Sequence, residues 1–273
     1  MQPRTVRVVY IVPIDAEPWP EAKRRATEVL EDLQHFLADQ MRGYGYGPKT
    51  FAIAYDRTGE VIFHGLPSSH RKEDFFRENP GHNPVFINLC KEATDGSLRS
   101  SNDIVIYFVE AYSISKTKLW AGSRGMKRGQ GGEAFLSSLH LKLAIREWLE
   151  FSEGYTGRII PWISLERMWE GALRWEKRGS AMGDVAGAGF GAIAHEFTHC
   201  FGTSNHKSDL DLELSSENLM GTGFRRMRGY FRPEEGRGRC ILSRRVADLL
   251  NGSPFFAVRD LKPKGKHFFR PET

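Results

Sequence analysis

The chain has 273 residues, 40% hydrophobic and 12% aromatic, and its 39 lysines and arginines against 34 aspartates and glutamates leave a net charge of +5. That apolar content is enough for a substantial core and excludes a disordered chain. No apolar run reaches the roughly 20 residues of a membrane-spanning helix, and so small a net charge is no nucleic-acid footprint.

"MQPRTVRVVYIVP" runs into "PIDAEPWP" without a small-residue cleavage site. The expectation is a cytoplasmic chain as written, or a secreted one if a leader has been removed. Val6 to Val12 is a short β-branched run ending at Pro13 and reads as a strand. Glu21 to Arg42 reads as a helix, because Ala22, Ala26, Val29, Leu30, Leu33, Phe36, Leu37 and Met41 recur at helical spacing before "GYGYGP" stops it. "TFAIAYDRTGEVIFHG" has the form of a hairpin around an Asp-Arg-Thr-Gly turn, and Asn102 to Tyr112 that of a strand buried on both faces.

"AGSRGMKRGQGGEA" reads as a glycine-rich basic surface loop and "AFLSSLHL" after it as a strand. "SLERMWEGALRWEKRG" places Leu165, Met168, Trp169, Ala172, Leu173 and Trp175 on one side of an amphipathic helix. "LSRRVADLLNGSPFF" reads as a short helix starting near Ser243 and stopped by Asn251 and Gly252, with Phe255 and Phe256 docking behind it. Cys90, Cys200 and Cys240 are too few and too scattered for a disulfide framework, leaving room for one bridge and one free thiol. With no repeat and no convincing linker, one domain over 1–273 is expected.

The chemistry concentrates in "DVAGAGFGAIAHEFTHCFG", Asp184 to Gly202. Phe190, Ile193, Ala194, Phe197, Cys200 and Phe201 make one apolar stripe, which assigns Cys200 to the core. His195 and His199 lie one turn apart on another face and can reach a single point. Two neutral imidazoles so presented suit zinc. Glu196 is offset about 100° round the helix, where it can take a proton from a water at the metal without being a ligand. Gly202 is placed to adopt positive φ and turn the chain back.

"HEFTHCFGTSNH" resembles the metzincin clan of zinc peptidases, whose pattern is HExxHxxGxxH followed by a Met-turn, and "SSENLMGTG" resembles that turn, with Met220 as its methionine. "VRVVYIVPID" and "ADQMRGYGYGPKTF" are similar to a little-characterised group of predicted bacterial metzincin-like peptidases. The resemblance implies an α/β (α+β) zincin-like fold. Its twisted mixed sheet and helices would lie in about 1–185, and the active-site helix, Met-turn and C-terminal helix in 186–273. It implies a hydrolase, a zinc metalloprotease, whose peptide or protein substrate lies extended along an edge strand, with no nucleic-acid or membrane partner. "GGEAFLSSLHL" is the candidate edge strand, an interior strand being the alternative.

Asn205 occupies the pattern's third-ligand position, and His206 lies one residue beyond. Imidazole is a common zinc ligand and an amide oxygen a rare one, so His195, His199 and His206 form the candidate set, with Asp209 and then Asn205 as alternatives. Glu213 or Glu217 as ligand conflicts with the Gly202 turn and Met220. Three protein ligands leave a coordination position open, which marks a catalytic zinc, with Glu196 as general base. Tyr230 reads as a packing residue rather than an oxyanion donor. The alternatives are a catalytically inactive zinc-binding scaffold of the same fold, motivated by Asn205, and a basic nucleic-acid-binding protein.

Overall fold

The computed structural model describes residues 4–76, 84–93, 103–114, 119–120, 123–145, 149, 182–203, 216–233 and 238–261. In chain order, β1 (Thr5–Val12) leads into α1 (Ala22–Gly43), the short strands β2 (Lys49–Thr50) and β3 (Ala52–Ile53), then β4 (Phe63–Pro67) and α2 (Pro84–Ala93). Next come β5 (Ile104–Val109), the small pair β6 (Ser113–Ile114) and β7 (Leu119–Trp120), β8 (Ser123–Arg128), β9 (Gly131–Ser137) and α3 (Ser138–Leu143). Then follow α4 (Met182–His199), α5 (Arg228–Phe231), α6 (Arg244–Asn251) and β10 (Ala257–Val258). Among the described residues no helix is long and apolar enough to cross a membrane.

The result is a mixed α/β fold around a mostly parallel sheet. β1 is flanked on one side by β3 and β4 and on the other by β5, all parallel to it, and β9 extends the parallel set. Alternation along the strands builds a core on each side. Val6, Val8 and Tyr10 of β1 join Ile104, Ile106 and Phe108 of β5 on the side covered by α1 and α4. Val9 and Ile11 join Val105, Tyr107, Val109 and Phe135 on the other, with Leu89 and Cys90 of α2. Both faces of β5 are therefore apolar, the reason its sequence is an unbroken apolar run.

α1 forms as its spacing predicts, with all eight apolar positions buried, and Gly45 and Gly47 follow it at φ +83° and +72°. The turn at Asp56 closes as expected, with Asp56 N–H donating to Glu60 O at 2.8 Å and Tyr55 bridging Val61. Its flanking strands, however, spend their hydrogen bonds on β1 in parallel and not on a long hairpin. α6 starts where Ser243 Oγ accepts from Val246 N–H, and Phe255 and Phe256 bury behind it against Phe201. The expected helix at 164–179 lies outside the described residues. All three cysteines are free and buried.

At the end of the sheet one expectation is corrected and one of two alternatives is met. The stretch read as a loop contains the antiparallel strand β8, the last of the sheet among the described residues, joined to β9 by Gly129 and Gln130 with Gly129 at φ +59°. The candidate edge strand "GGEAFLSSLHL" is instead interior as far as Ser137, lying between β5 and β8. There Ser137 Oγ accepts from Leu139 N–H at 3.2 Å and caps α3. β8 escapes an apolar-alternation reading because glycine replaces bulk where α4 lies against the sheet, a Cβ on Gly125 standing 1.9 Å from the carbonyl oxygen of Glu196. In the neighbouring β9, a Cβ on Gly132 would stand 2.4–2.6 Å from the Cβ, Cα and carbonyl oxygen of Cys200.

Gly132→Ala is accordingly expected to cost about 1–3 kcal/mol by overpacking. The check is a lowered urea midpoint at unchanged denaturant slope, whereas an unchanged midpoint would mean that α4 yields freely.

Candidate metal centre

α4 carries the apolar stripe its sequence promises. Phe190, Ile193, Ala194, Phe197, Cys200 and Phe201 are all buried. Burial also pushes the Cys200 thiol pKa up, so it behaves as core. The helix ends at His199, and Gly202 takes φ +91° in the turn that follows. His195 and His199 are buried, and Glu196 between them is half-buried.

Each imidazole is anchored at Nδ1 by a backbone carbonyl: His195 by Leu219 O at 2.8 Å, His199 by Thr203 O at 2.8 Å. A carbonyl only accepts, so each Nδ1 carries the proton and each neutral ring keeps its lone pair on Nε2. The two Nε2 atoms lie 3.1 Å apart, with the rings nearly perpendicular at 87°. Two lone pairs facing at that distance repel unless a cation lies between them. A proton there would make one ring a buried cation, and burial lowers the His195 pKa, with Glu196 and the Leu219 carbonyl opposing the shift in part. A metal ion fits better. Two ligands at zinc–nitrogen distances of about 2.0–2.1 Å in tetrahedral geometry stand about 3.3 Å apart, close to the separation seen. Among the described residues, His195, Glu196 and His199 are the group whose ligand atoms, all within 4.8 Å of one another, could hold a metal ion; Glu217 does not join it.

Glu196 points to β8. Ser123 Oγ donates to its Oε1 at 2.8 Å and Gly125 N–H to its Oε2 at 2.5 Å. Neither residue was singled out from the sequence, although the Gly-Gln pair between two runs was a hairpin signal pointing to a strand there. Met220 is buried and follows Leu219, whose carbonyl holds His195. Its N–H donates to Asn218 Oδ1 at 2.9 Å, and Thr203 Oγ1, 3.4 Å from His199 Nδ1, also reaches its sulfur at 3.9 Å. Phe224 packs 5.2 Å from the His195 ring. Tyr230 is a packing residue as expected, donating to Asp39 Oδ2 at 2.8 Å and edge-on to Phe36. Asn205, His206, Asp209 and Glu213 lie outside the described residues.

No protein-family model matches the chain, and no curated protein matches it in sequence. Its fold is similar to that of OgpA from Akkermansia muciniphila. Wild-type OgpA aligns with a TM-score of 0.59 at 18% identity, over 94% of this chain and 62% of OgpA. Catalytically inactive OgpA in complex with an O-glycopeptide (glycodrosocin) substrate aligns with a TM-score of 0.60 at 18% identity, over 93% of this chain and 62% of OgpA. The chain thus spans less than two thirds of the length of the protein it resembles.

The lowered His195 pKa has a measurable consequence in chelator-treated protein. Below about pH 6.5 the unfolded chain takes up a proton at His195 that the folded chain refuses. Folding stability should therefore fall with decreasing pH from there, by up to about 1.4 kcal/mol per pH unit for this one group. Urea denaturation from pH 7.5 to 5.5 should show a steeper loss in the parent than in His195→Ala; equal pH dependence would contradict the assignment.

Proposed function

We propose that the chain is a zinc-dependent endopeptidase of metzincin type, folded as one domain around α4. The observation that carries this reading is the facing pair of buried imidazole lone pairs with a carboxylate beside them under an edge strand. The likeness to OgpA, whose inactive form was solved with an O-glycopeptide substrate, supports a peptide-type substrate.

In this reading His195 and His199 hold the metal together with His206, or with Asp209 or Asn205 in its place. A zinc ion held there would supply Lewis acidity and a water acidified toward neutral pH. The Leu219 and Thr203 carbonyls keep both rings in the ligating tautomer and raise their basicity. The Glu196 carboxylate would accept a proton from such a water and return it to the leaving nitrogen, so no covalent intermediate with the protein is needed. Met220 is the methionine of the Met-turn, its segment bracing His195 through Leu219. β8 is the strand along which an extended substrate would add.

The test compares the parent with Glu196→Ala on an unfolded protein and on one peptide in plain and O-glycosylated forms. The parent should cleave, and Glu196→Ala should lose activity by about 10²–10⁴-fold while retaining its metal. Metal loss in Glu196→Ala would make Glu196 a ligand and overturn the mechanism. A zinc-bound parent that cleaves nothing would leave an inactive scaffold of the same fold.

A further inference from the structure

Both oxygens of Glu196 are held by a single strand, but the two donors are not equivalent. Gly125 N–H belongs to a backbone that cannot move alone. A Cβ on Gly125 would lie 1.9 Å from the carbonyl oxygen of Glu196, so strand and helix are in direct backbone contact. Ser123 donates from a side chain, at 2.8 Å. Its backbone is held separately, by its register with Leu136 of β9. Removing the hydroxyl therefore takes a donor from Glu196 without taking a support from β8.

An ionised carboxylate offers about four lone-pair sites and only accepts. β8 engages one on each oxygen, and a carboxylate oxygen still lies within 4.8 Å of the imidazole nitrogens of His195 and His199. A water between these groups would lie within hydrogen-bond reach of the carboxylate. A half-buried glutamate with only the Gly125 donor keeps a pivot about that one bond. The second donor at Oε1 removes the pivot and fixes the plane of the carboxylate.

We propose, on the basis of the peptidase reading above, that Ser123 is a positioning residue for Glu196. Its hydroxyl fixes the carboxylate plane so that the free lone pairs face the space between the imidazoles. Ser123 acts through the base, so its loss slows the proton-transfer step and leaves substrate affinity alone. A merely structural hydroxyl, binding β8 to α4, would instead act on stability and on metal retention.

The experiment uses the full chain with zinc, as parent, Ser123→Ala and Ser123→Thr. Zinc content and thermal midpoint are measured first, then kcat and KM on a cleaved peptide. Calorimetric affinity for a peptide hydroxamate, which hydrogen-bonds the base as it chelates zinc, gives a readout independent of turnover. Ser123→Ala should keep its zinc and fold and lose about ten- to a hundredfold in kcat. Its KM should stay within about twofold, and its hydroxamate affinity should weaken. Ser123→Thr, which retains the hydroxyl, should recover most of both losses. Unchanged kcat and hydroxamate affinity in Ser123→Ala would overturn the proposal. So would losses accompanied by zinc release or unfolding, or shared equally by Ser123→Thr. A parent that binds neither zinc nor hydroxamate would sink the peptidase reading itself, a result distinct from an active parent with an equally active Ser123→Ala.

Discussion

Leu219 O and Thr203 O each accept from the Nδ1 of one imidazole, and together they leave two Nε2 lone pairs facing each other 3.1 Å apart. Much of the surrounding architecture serves to hold that arrangement. The carbonyls come from two different segments, the turn after α4 and the buried stretch around Met220, so the rings are oriented only when both segments are packed in place. Gly202 makes the first possible by turning the chain at positive φ. The second is buttressed by Asn218, whose side chain accepts from Met220 N–H and whose carbonyl accepts from Gly221 and Gly223 N–H. In apolar surroundings the repulsion between the lone pairs is little screened, and a bound cation turns the same geometry into an asset.

The second constraint is the closeness of α4 to the end of the sheet. Helices usually rest on sheets through side chains, whereas here Gly125 and Gly132 bring backbone against backbone. This brings the donors of β8, the last strand of the sheet among the described residues, within reach of Glu196. The sheet's two apolar faces secure the base of this contact. β5 is buried throughout, and α3, which packs on α4, is tied to the sheet by the buried Lys142–Glu110 pair and by Tyr10 donating to Glu110.

How much of this was legible in the sequence differs by element, for physical reasons. α1, β1, β5 and the buried stripe of α4 were legible because burial is written as a period of side-chain type. His195, Glu196 and His199 were legible because groups that converge on one point from a single helix need a particular spacing. β8 was not, because its packing depends on the absence of side chains at Gly125, and a polar glycine-rich run looks like a loop. The carbonyls that orient the histidines were illegible too, since a backbone acceptor leaves no mark on residue identity. For β9 the strand itself was found but its place in the sheet was open, because an interior and an edge strand differ in neighbours more than in composition.

The account stands on a cation between His195 and His199, and metal per chain measures that most directly. Elemental analysis after zinc reconstitution and exhaustive dialysis should find one zinc per parent chain and none in His199→Ala, with His206→Ala in the same series testing the third ligand. A parent that emerges without zinc, or a His199→Ala variant that keeps its zinc, would contradict the account.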